Sequence, residues 1–226
     1  MVDLLELQKQ FILAHLGEGD AAVDFTMGNG GDTIFLSNTV GATGKVYAFD
    51  VQEGALVSTK SNLIAAGTPE NYTLICASHH RVKEFISEPF KAGMFNLGYL
   101  PRGAEKGITT KCETTLPAVQ AALDLLASDG VLVVAVYPGH KEGESEGNML
   151  DEYFASLNRY AFCASKFRIL NSPAAPYFFV IEKRSGRPVR HSGKAQKNAR
   201  RAERLANAIN EASEALKKQK QTGEKG

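Results

Sequence analysis

The sequence predicts an α/β domain whose mostly parallel, seven-stranded sheet ends in an antiparallel hairpin and has helices on both faces. Five short apolar runs, rich in Val, Phe and Tyr, show little polar alternation, which is typical of strands buried on both faces. Helical patterns lie between these runs, and this alternation favours parallel strands. Two later runs are separated only by the segment NSPAA, which is too short for a helical crossover. That last pair should therefore be antiparallel.

Each element follows from a local pattern, taken in chain order. An amphipathic helix is expected within residues 1–17, where Leu and Ile recur near helical spacing. The strands predicted for the parallel part of the sheet are AAVDFT, KVYAFD, YTLICAS, GMFNLGY and GVLVVAVY. The helices predicted between and after them span residues 32–40, 53–66, 113–127 and 146–160. The closing hairpin consists of FCASKFRIL and PYFFVIEK.

The composition predicts a soluble, cytoplasmic protein. Of the 226 residues, 43% are apolar and 23% are charged, which is ordinary for a globular domain. No apolar run approaches the roughly 20 residues that a membrane-spanning helix needs, and the N-terminus lacks the basic and apolar regions of a signal peptide. The three cysteines lie far apart, without disulfide or zinc spacing. We therefore expect a reducing compartment, no membrane contact and no bound metal.

Charge divides the chain into two regions. Residues 1–183, the predicted domain, contain 14 Lys and Arg against 21 Asp and Glu, a net charge of −7. Residues 184–226 contain 12 Lys and Arg against 4 Asp and Glu, a net charge of +8. This basic tail starts as a linker rich in Gly, Pro and Arg, and residues 194–219 show a narrow, alanine-rich helical stripe. Partial disorder is expected there, and either a polyanion contact or a solvated helix explains the charge.

A glycine-rich turn, VDFTMGNGGDT, links the first strand to the next helix. Gly28, Gly30 and Gly31 permit positive φ angles and a close backbone approach to a ligand, and the helix N-terminus offers free N–H groups. A dinucleotide motif would place a third glycine where this chain has Thr33, so NAD is disfavoured. Asp24 would repel a pyrophosphate but suits the ammonium of a methionine moiety. A plain strand-to-helix turn is the alternative that this motif alone leaves open.

Two further strand ends have polar residues suited to an adenosine. Asp50 ends the second strand about twenty residues after the turn, where a carboxylate can accept both ribose hydroxyls. Gln52 is close enough to add a contact, and Asp50 equally suits a helix N-cap. Ser78 and His79 follow the third strand, where a loop at the sheet edge is expected to meet an adenine ring. A single histidine without a second ligand at a suitable spacing favours pocket lining over metal binding.

The fourth strand ends in FNLGYLP, whose Asn96 and Tyr99 resemble the Asn-Pro-Pro-Tyr motif of amino-group methyltransferases. In that motif the Asn side chain accepts a hydrogen bond from the target amine and the aromatic ring stacks on the base. Such acceptors direct the nitrogen lone pair at the transferred methyl group. A strand-end turn with an Asx cap is the structural alternative. After the fifth strand, His140 is a candidate either to deprotonate an ammonium substrate or to line the pocket. Glu146 is predicted as an acid in the first turn of the next helix.

Several segments together resemble one family: DFTMGNGGDTIFL, GKVYAFDVQEGAL, SHHRV, FNLGYLP, ITT and YPGHKEG. They are similar to the putative rRNA methylase family of class I methyltransferases, from about residue 5 to residue 183. The resemblance implies the class I fold, S-adenosylmethionine as the cofactor, and N-methylation of the 5-aminomethyl group of the tRNA wobble uridine, often a 2-thiouridine. The chain departs from the family pattern at Gly31, where relatives often have a polar side chain, and at Arg102, where glycine is common.

The resemblance also implies which residues form the site. By resemblance, the cofactor contacts fall on Asn29, Gly31, Asp50, Gln52, Ser78 and His79. The turn itself adds Asp24, Thr26, Gly28 and Gly30 as predicted cofactor contacts. The predicted catalytic residues are Asn96, Tyr99 and His140. Arg102, Lys106 and Lys111 flank the predicted pocket and are expected to contact phosphates of the tRNA anticodon region.

Other functions stay open at this stage. The same chemistry on an rRNA base or a small amine is the nearest alternative. A non-catalytic RNA-binding module with this fold and tail belongs to a different class, as does a dinucleotide oxidoreductase, which Thr33 and the segment NLGY disfavour. The sequence is compatible with a homodimer and does not fix the oligomeric state.

Overall fold

The computed structural model describes residues 3–98, 110–139 and 141–185. Its strands are β1 (Ala21–Asp24), β2 (Lys45–Asp50), β3 (Tyr72–Cys76), β4 (Phe90–Leu97), β5 (Leu126–Val136), β6 (Phe162–Phe167) and β7 (Tyr177–Lys183). Its α-helices are α1 (Leu4–Leu13), α2 (Gly31–Val40), α3 (Glu53–Ala65), α4 (Val82–Phe85), α5 (Cys112–Leu125) and α6 (Lys141–Ala155). A short 3-10 helix, His79–Arg81, precedes α4. None of the described helices combines the length and hydropathy that a bilayer crossing demands.

All seven strands form one sheet in the order β3-β2-β1-β4-β5-β7-β6. Strands β1 to β5 pair in parallel, whereas β7 pairs antiparallel with both β5 and β6. The predicted parallel sheet with a C-terminal antiparallel hairpin is therefore confirmed. The direction of strand addition reverses between β1 and β4. In open α/β sheets, such a switch point leaves a crevice at the carboxyl ends of the strands, where ligands bind.

Helices cover both faces of the sheet, as predicted. On one face, Ile12 of α1 and Leu36 of α2 belong to a buried apolar cluster with the central strands. On the other face, Leu116 of α5 and Leu150 of α6 belong to a larger cluster rich in aromatic side chains. Burial on both faces explains why the strand sequences show little polar alternation.

Helix α6 begins earlier than the sequence predicts. It spans Lys141–Ala155 and not residues 146–160, so Glu146 lies in its second turn and the predicted first-turn position is wrong. Glu146 is fully buried and accepts hydrogen bonds from Thr110 Oγ1 at 2.8 Å and Thr115 Oγ1 at 2.5 Å. These hydroxyls satisfy a carboxylate that the local pattern had suggested as a partner of the helix dipole.

Other differences concern the ends of elements. β5 begins at Leu126, directly after α5, and not at residue 130, because its first residue pairs with Phe90 ahead of a register shift. The short helices between β3 and β4 were not predicted, since each contains only one turn. Of the predicted tail at residues 184–226, only Arg184 and Ser185 are described, and the predicted tail helix lies outside the described residues.

Candidate active site

The candidate site lies at the carboxyl edge of the sheet, at the switch point between β1 and β4. Asp50 at the end of β2 accepts a hydrogen bond from Gly28 N in the glycine turn at 3.1 Å. Asn96 near the end of β4 donates its backbone N–H to Thr26 Oγ1 at 2.7 Å. The structure therefore brings predicted residues from three strand ends into one region.

The glycine turn after β1 has a backbone that requires glycine at two positions. Gly28 has φ 53° and Gly30 has φ 84°, both in the left-handed region. A Cβ on Gly30 would also lie 2.8 Å from Thr59 Cγ2 of α3. A Cβ on Gly31 would meet no atom within 4 Å. Helix α2 begins at Gly31 without a side-chain cap, which leaves first-turn N–H groups for a ligand.

Three side chains of α3 support this turn. Thr59 Oγ1 donates a hydrogen bond to Gly28 O at 2.9 Å. Ser58 Oγ donates to Asn29 Oδ1 at 3.0 Å, and Asn62 Nδ2 donates to Asn29 O at 2.9 Å. The turn is thus held by three hydrogen bonds from a helix about thirty residues away in sequence. No local sequence pattern signals these contacts.

Asp24 is buried beneath the turn. Its carboxylate accepts hydrogen bonds from Thr26 N at 3.1 Å and Thr33 Oγ1 at 2.6 Å. Burial, followed by the negative charge of Asp32, raises the pKa of Asp24 to about 7. Thr33 is fully buried, so the hydroxyl that replaces the third glycine of a dinucleotide motif satisfies this acid. Contact between Asp24 and a cofactor stays a prediction.

Asp50 connects the glycine turn to the start of α3. Its Oδ2 accepts from Gly28 N at 3.1 Å, and its Oδ1 accepts from Gln52 N at 3.0 Å. Gln52, and not Asp50, occupies the N-cap position of α3. Each carboxylate oxygen has a second lone pair, so these two bonds leave acceptor capacity for ribose hydroxyls.

His79 and Ser78 follow β3. His79 Nδ1 lies 3.3 Å from Phe25 O, and because a carbonyl only accepts, this nitrogen bears the proton and Nε2 has a lone pair. Nε2 is buried and has no hydrogen-bond partner among the described residues. Burial lowers the pKa of His79 to about 4, so the ring is neutral. A buried acceptor without a partner suits a donor from a ligand. Ser78 Oγ instead lies 2.8 Å from His80 Nδ1.

Asn96 presents an unused acceptor at the switch point. Its backbone is held by Thr26, and its Nδ2 donates to the carboxylate of Asp32. The remaining side-chain atom, Oδ1, is buried and has no partner within the described part of the chain. Leaving such an atom unsatisfied costs free energy in the absence of a ligand, which is a common feature of binding sites.

Asp32, in the first turn of α2, was not among the predicted site residues. Burial raises its pKa, whereas the positive charge of Lys9 and the hydrogen bond from Asn96 lower it. Burial, and then the charge of Asp32, raises the pKa of Tyr137, which follows β5. Asp32 therefore lies between the glycine turn and the β4–β5 side of the site. Asp32 and Thr33 are polar residues directly after the glycines, and this position was their signal in the sequence.

Several predicted residues lie outside the described part of the chain: Tyr99, Arg102, Lys106 and His140. Lys111 is described, is exposed, and precedes α5 as its N-cap residue. Thr110 N donates to Gly98 O at 3.2 Å, so the residue before Lys111 pairs with the residue that follows β4, the strand that contains Asn96. Within the described ranges, no three His, Cys, Asp or Glu side chains are grouped as a metal ion would require.

Comparison with known proteins identifies the family. A family model described as putative rRNA methylase matches residues 46–183. The chain belongs to this family. A solved structure of the rRNA methylase family, from Clostridium thermocellum, is 35% identical and has a TM-score of 0.78, with 81% of this chain and 98% of the other covered. A putative methyltransferase from Streptococcus mutans, solved in complex with SAH, is 34% identical and has a TM-score of 0.73, with 81% and 99% covered.

A curated plant protein is similar as well. The chloroplastic tRNA (mnm(5)s(2)U34)-methyltransferase of Arabidopsis thaliana is 36% identical over 177 residues. The match covers 74% of this chain and 64% of the plant protein, so the chain spans less than two thirds of that relative's length. These similarities confirm the predicted family and the class I methyltransferase fold.

Proposed function

We propose that this protein is an S-adenosylmethionine-dependent methyltransferase that N-methylates the 5-aminomethyl group of the tRNA wobble uridine, giving 5-methylaminomethyl(-2-thio)uridine. The observation that carries the proposal is the buried Asn96 Oδ1, which lies at the switch point without a partner among the described residues. An acceptor at this place suits the N–H of an amine. The plant relative, named as a methyltransferase for this wobble modification, supports the same substrate.

The residues at the strand ends fit S-adenosylmethionine. The glycine turn allows close backbone approach, Asp50 has acceptor capacity for ribose hydroxyls, and His79 Nε2 suits a donor such as an exocyclic amino group. When bound, the cofactor supplies a methyl group on a positively charged sulfur. The relative from Streptococcus mutans, solved with SAH, supports this cofactor.

The charge of the site favours cationic ligands. Asp32 and Asp50 lie close enough to Asp24 for their negative charges to raise its pKa. Three carboxylates within one crevice create a negative potential, which attracts a sulfonium or an ammonium and repels a pyrophosphate. This potential supports a cationic cofactor and an amine substrate over a dinucleotide.

Asn96 is expected to accept an N–H of the amine, so that the nitrogen lone pair is directed away from Asn96 and toward the methyl group. Thr26 fixes its backbone and Asp32 engages its side chain. The attacking nitrogen must be neutral, and His140 is the residue that we propose to accept its proton. Tyr99 is the residue that we propose to stack on the uracil ring.

Contacts with the tRNA anticodon region are proposed for Arg102, Lys106 and Lys111, whose positive charges suit phosphates. Thr110, the neighbour of Lys111, pairs with Gly98 at the end of the strand that contains Asn96, which supports the assignment of Lys111. The basic tail at residues 184–226 would add affinity that does not depend on sequence. rRNA is the second candidate substrate, because the family model is described as an rRNA methylase.

A methylation assay tests the proposed function. Purified protein is incubated with S-adenosylmethionine and either tRNA containing wobble 5-aminomethyluridine or rRNA, and the nucleosides are measured by mass spectrometry. We expect 5-methylaminomethyluridine from the tRNA. Asn96→Ala should lower the rate about 100-fold, because an amine that is misplaced by about 1 Å loses that much. Its cofactor affinity, measured by calorimetry, should match that of the wild type.

The matched control is Asn38→Ala, which alters an exposed Asn of α2 and should retain full activity. Wild-type protein that leaves the aminomethyl tRNA unmodified would contradict the proposal. Methylation of rRNA alone would favour the second candidate.

A further inference from the structure

Asp32 directly follows the glycine turn, and its carboxylate accepts a hydrogen bond from Asn96, the predicted amine acceptor, which lies 64 residues later in the sequence. We infer that Asp32 is a positioning residue, which fixes the Asn96 amide so that its oxygen faces the amine. The inference rests on the proposed function and assigns a role to a residue that was not among the predicted site residues.

The two ends of an Asn amide have similar shapes and opposite hydrogen-bonding roles. An ionised carboxylate only accepts hydrogen bonds, so its pairing with Asp32 requires Nδ2 of Asn96 to face that carboxylate. Oδ1 is then directed away from Asp32, and this is the buried atom without a partner among the described residues. With a neutral amide at position 32, both orientations of Asn96 would be satisfied, because each amide donates and accepts.

The backbone of Asn96 leaves few other conformations open. Asn96 pairs with Ala135 in the parallel register of β4 and β5, and its N–H donates to Thr26 Oγ1. Asp32 is held in turn by its place in the first turn of α2, next to Thr33, whose hydroxyl donates to Asp24. Both partners are therefore fixed at their backbones, and the rotation of the amide group is what Asp32 determines.

Groups from three neighbouring elements act on the charge of Asp32. Lys9 and Glu6 face it from α1, Asp24 faces it from β1, and Tyr137 faces it after β5. Lys9 and the hydrogen bond from Asn96 favour the ionised form, whereas burial and Glu6 favour the protonated form. A protonated Asp32 would donate to Asn96 and remove the preference for one amide orientation. The rate should therefore fall as the pH drops through the raised pKa of Asp32.

The first test uses the protein without substrate. The side-chain amide of Asn96 is observed by ¹H–¹⁵N NMR and assigned by its loss in Asn96→Ala. In the wild type its signals should shift with pH as Asp32 titrates, and in Asp32→Asn this shift should disappear. An identical pH-dependent shift in both proteins would overturn the inference.

The second test uses methylation kinetics. Asp32→Asn preserves the shape of the side chain, and we expect a kcat about tenfold lower, because the amine acceptor is misoriented in a large share of molecules. The melting temperature should stay close to that of the wild type. The KM for S-adenosylmethionine should rise by a smaller factor than kcat falls, because only one of the three carboxylates near the site is neutralised. The fall in kcat at low pH that protonation of Asp32 causes in the wild type should also be absent in Asp32→Asn. The matched control is Asp124→Asn, which removes an exposed carboxylate that pairs with Lys83.

The outcomes separate the two proposals. If the wild type methylates the aminomethyl tRNA and Asp32→Asn keeps the same kcat, the positioning role is wrong and the proposed function stands. If the wild type does not methylate that tRNA, the proposed function fails, and the NMR titration still decides whether Asp32 orients Asn96.

Discussion

At the scale of single residues, the candidate site contains two carboxyl groups, those of Asp24 and Asp32, whose pKa values are raised. Both are raised first by burial, and the negative charge of Asp32 raises the pKa of Asp24 further. Near neutral pH, Asp24 with a pKa of about 7 is present in both protonation states. A bound cation would favour its ionised form, because opposite charges lower the pKa of an acid.

The buried Asp24 should make folding stability depend on pH. Its pKa is about 7 in the folded protein and about 4 when unfolded, so the folded state binds more protons between these values. Stability attributable to Asp24 is therefore fully present below pH about 4 and is lost as the pH rises toward about 7. In Asp24→Asn this loss should be absent. The free energy of unfolding of the wild type, relative to that of Asp24→Asn, should therefore fall by at least about 1 kcal/mol as the pH rises.

Urea denaturation at several pH values between 4.5 and 8 measures this effect, in a window set by the raised pKa. The matched control is Asp20→Asn, which alters a carboxylate that accepts from Gly17 N outside the site. If the wild type and Asp24→Asn show parallel dependence on pH, the raised pKa of Asp24 is incorrect.

Asn96 and Asp32 differ in how far the sequence reveals them. Asn96 was predicted because the segment NLGY resembles a known motif, and the structure places it at the expected strand end. Asp32 was missed because its importance depends on a contact with β4, and a local pattern contains no information about which strand lies beside β1. The cofactor role of the predicted contacts remains a prediction, and similarity to known methyltransferases supports S-adenosylmethionine itself.

At the scale of elements, the glycine turn and the first turn of α2 offer a matched pair of substitutions. Gly30→Ala should destabilise the protein by about 1–3 kcal/mol, because its φ of 84° disfavours a side chain and its Cβ would clash with Thr59. The affinity of Gly30→Ala for S-adenosylmethionine should fall as well. Gly31→Ala should instead stabilise the protein by about 0.4–1 kcal/mol, because the site is open and a helical glycine is replaced.

Thermal and denaturant unfolding measure these stabilities, and calorimetry with S-adenosylmethionine measures the affinity. Each variant is the control for the other, since they alter adjacent glycines by the same methyl group. Equal effects of the two substitutions would show that neither the left-handed backbone of Gly30 nor its contact with Thr59 matters.

Helix α6 shows why element boundaries need the tertiary structure. The sequence pattern predicted a helix from residue 146, with Glu146 as an acid in its first turn. The helix begins at Lys141, and Glu146 is buried against Thr110 and Thr115. These contacts connect two segments that are more than thirty residues apart in sequence, and a rule based on the helix dipole cannot include them.

At the scale of the whole molecule, the acidic domain and the basic tail have different roles in the proposed function. Replacing Arg200, Arg201 and Arg204 by Gln should weaken binding of the tRNA anticodon region. The slope of log K against log salt should fall by about 2, since each lost phosphate contact to single-stranded RNA removes about 0.7. Methylation at saturating tRNA should stay unchanged. Fluorescence anisotropy at several salt concentrations measures the slope.

The control neutralises three cations of the domain, Lys45, Lys60 and Lys83, which lie away from the candidate site on β2, α3 and α4. This control removes the same three positive charges and should leave the slope of log K against log salt close to that of the wild type. A tail variant with the wild-type slope would support the alternative, in which the tail is a solvated helix.

The sequence by itself determined the α/β class, the parallel and antiparallel parts of the sheet, the glycine turn and Asn96. The fold class, the sheet and the turn follow from local patterns, because hydrophobic periodicity and glycine conformation act over a few residues. Asn96 follows from the resemblance of the segment NLGY to a known motif. The tertiary structure alone decided that Asp32 pairs with Asn96, that Thr33 satisfies Asp24, and that α3 supports the turn. Burial and strand order create these contacts, and both arise only when segments distant in the chain are packed together.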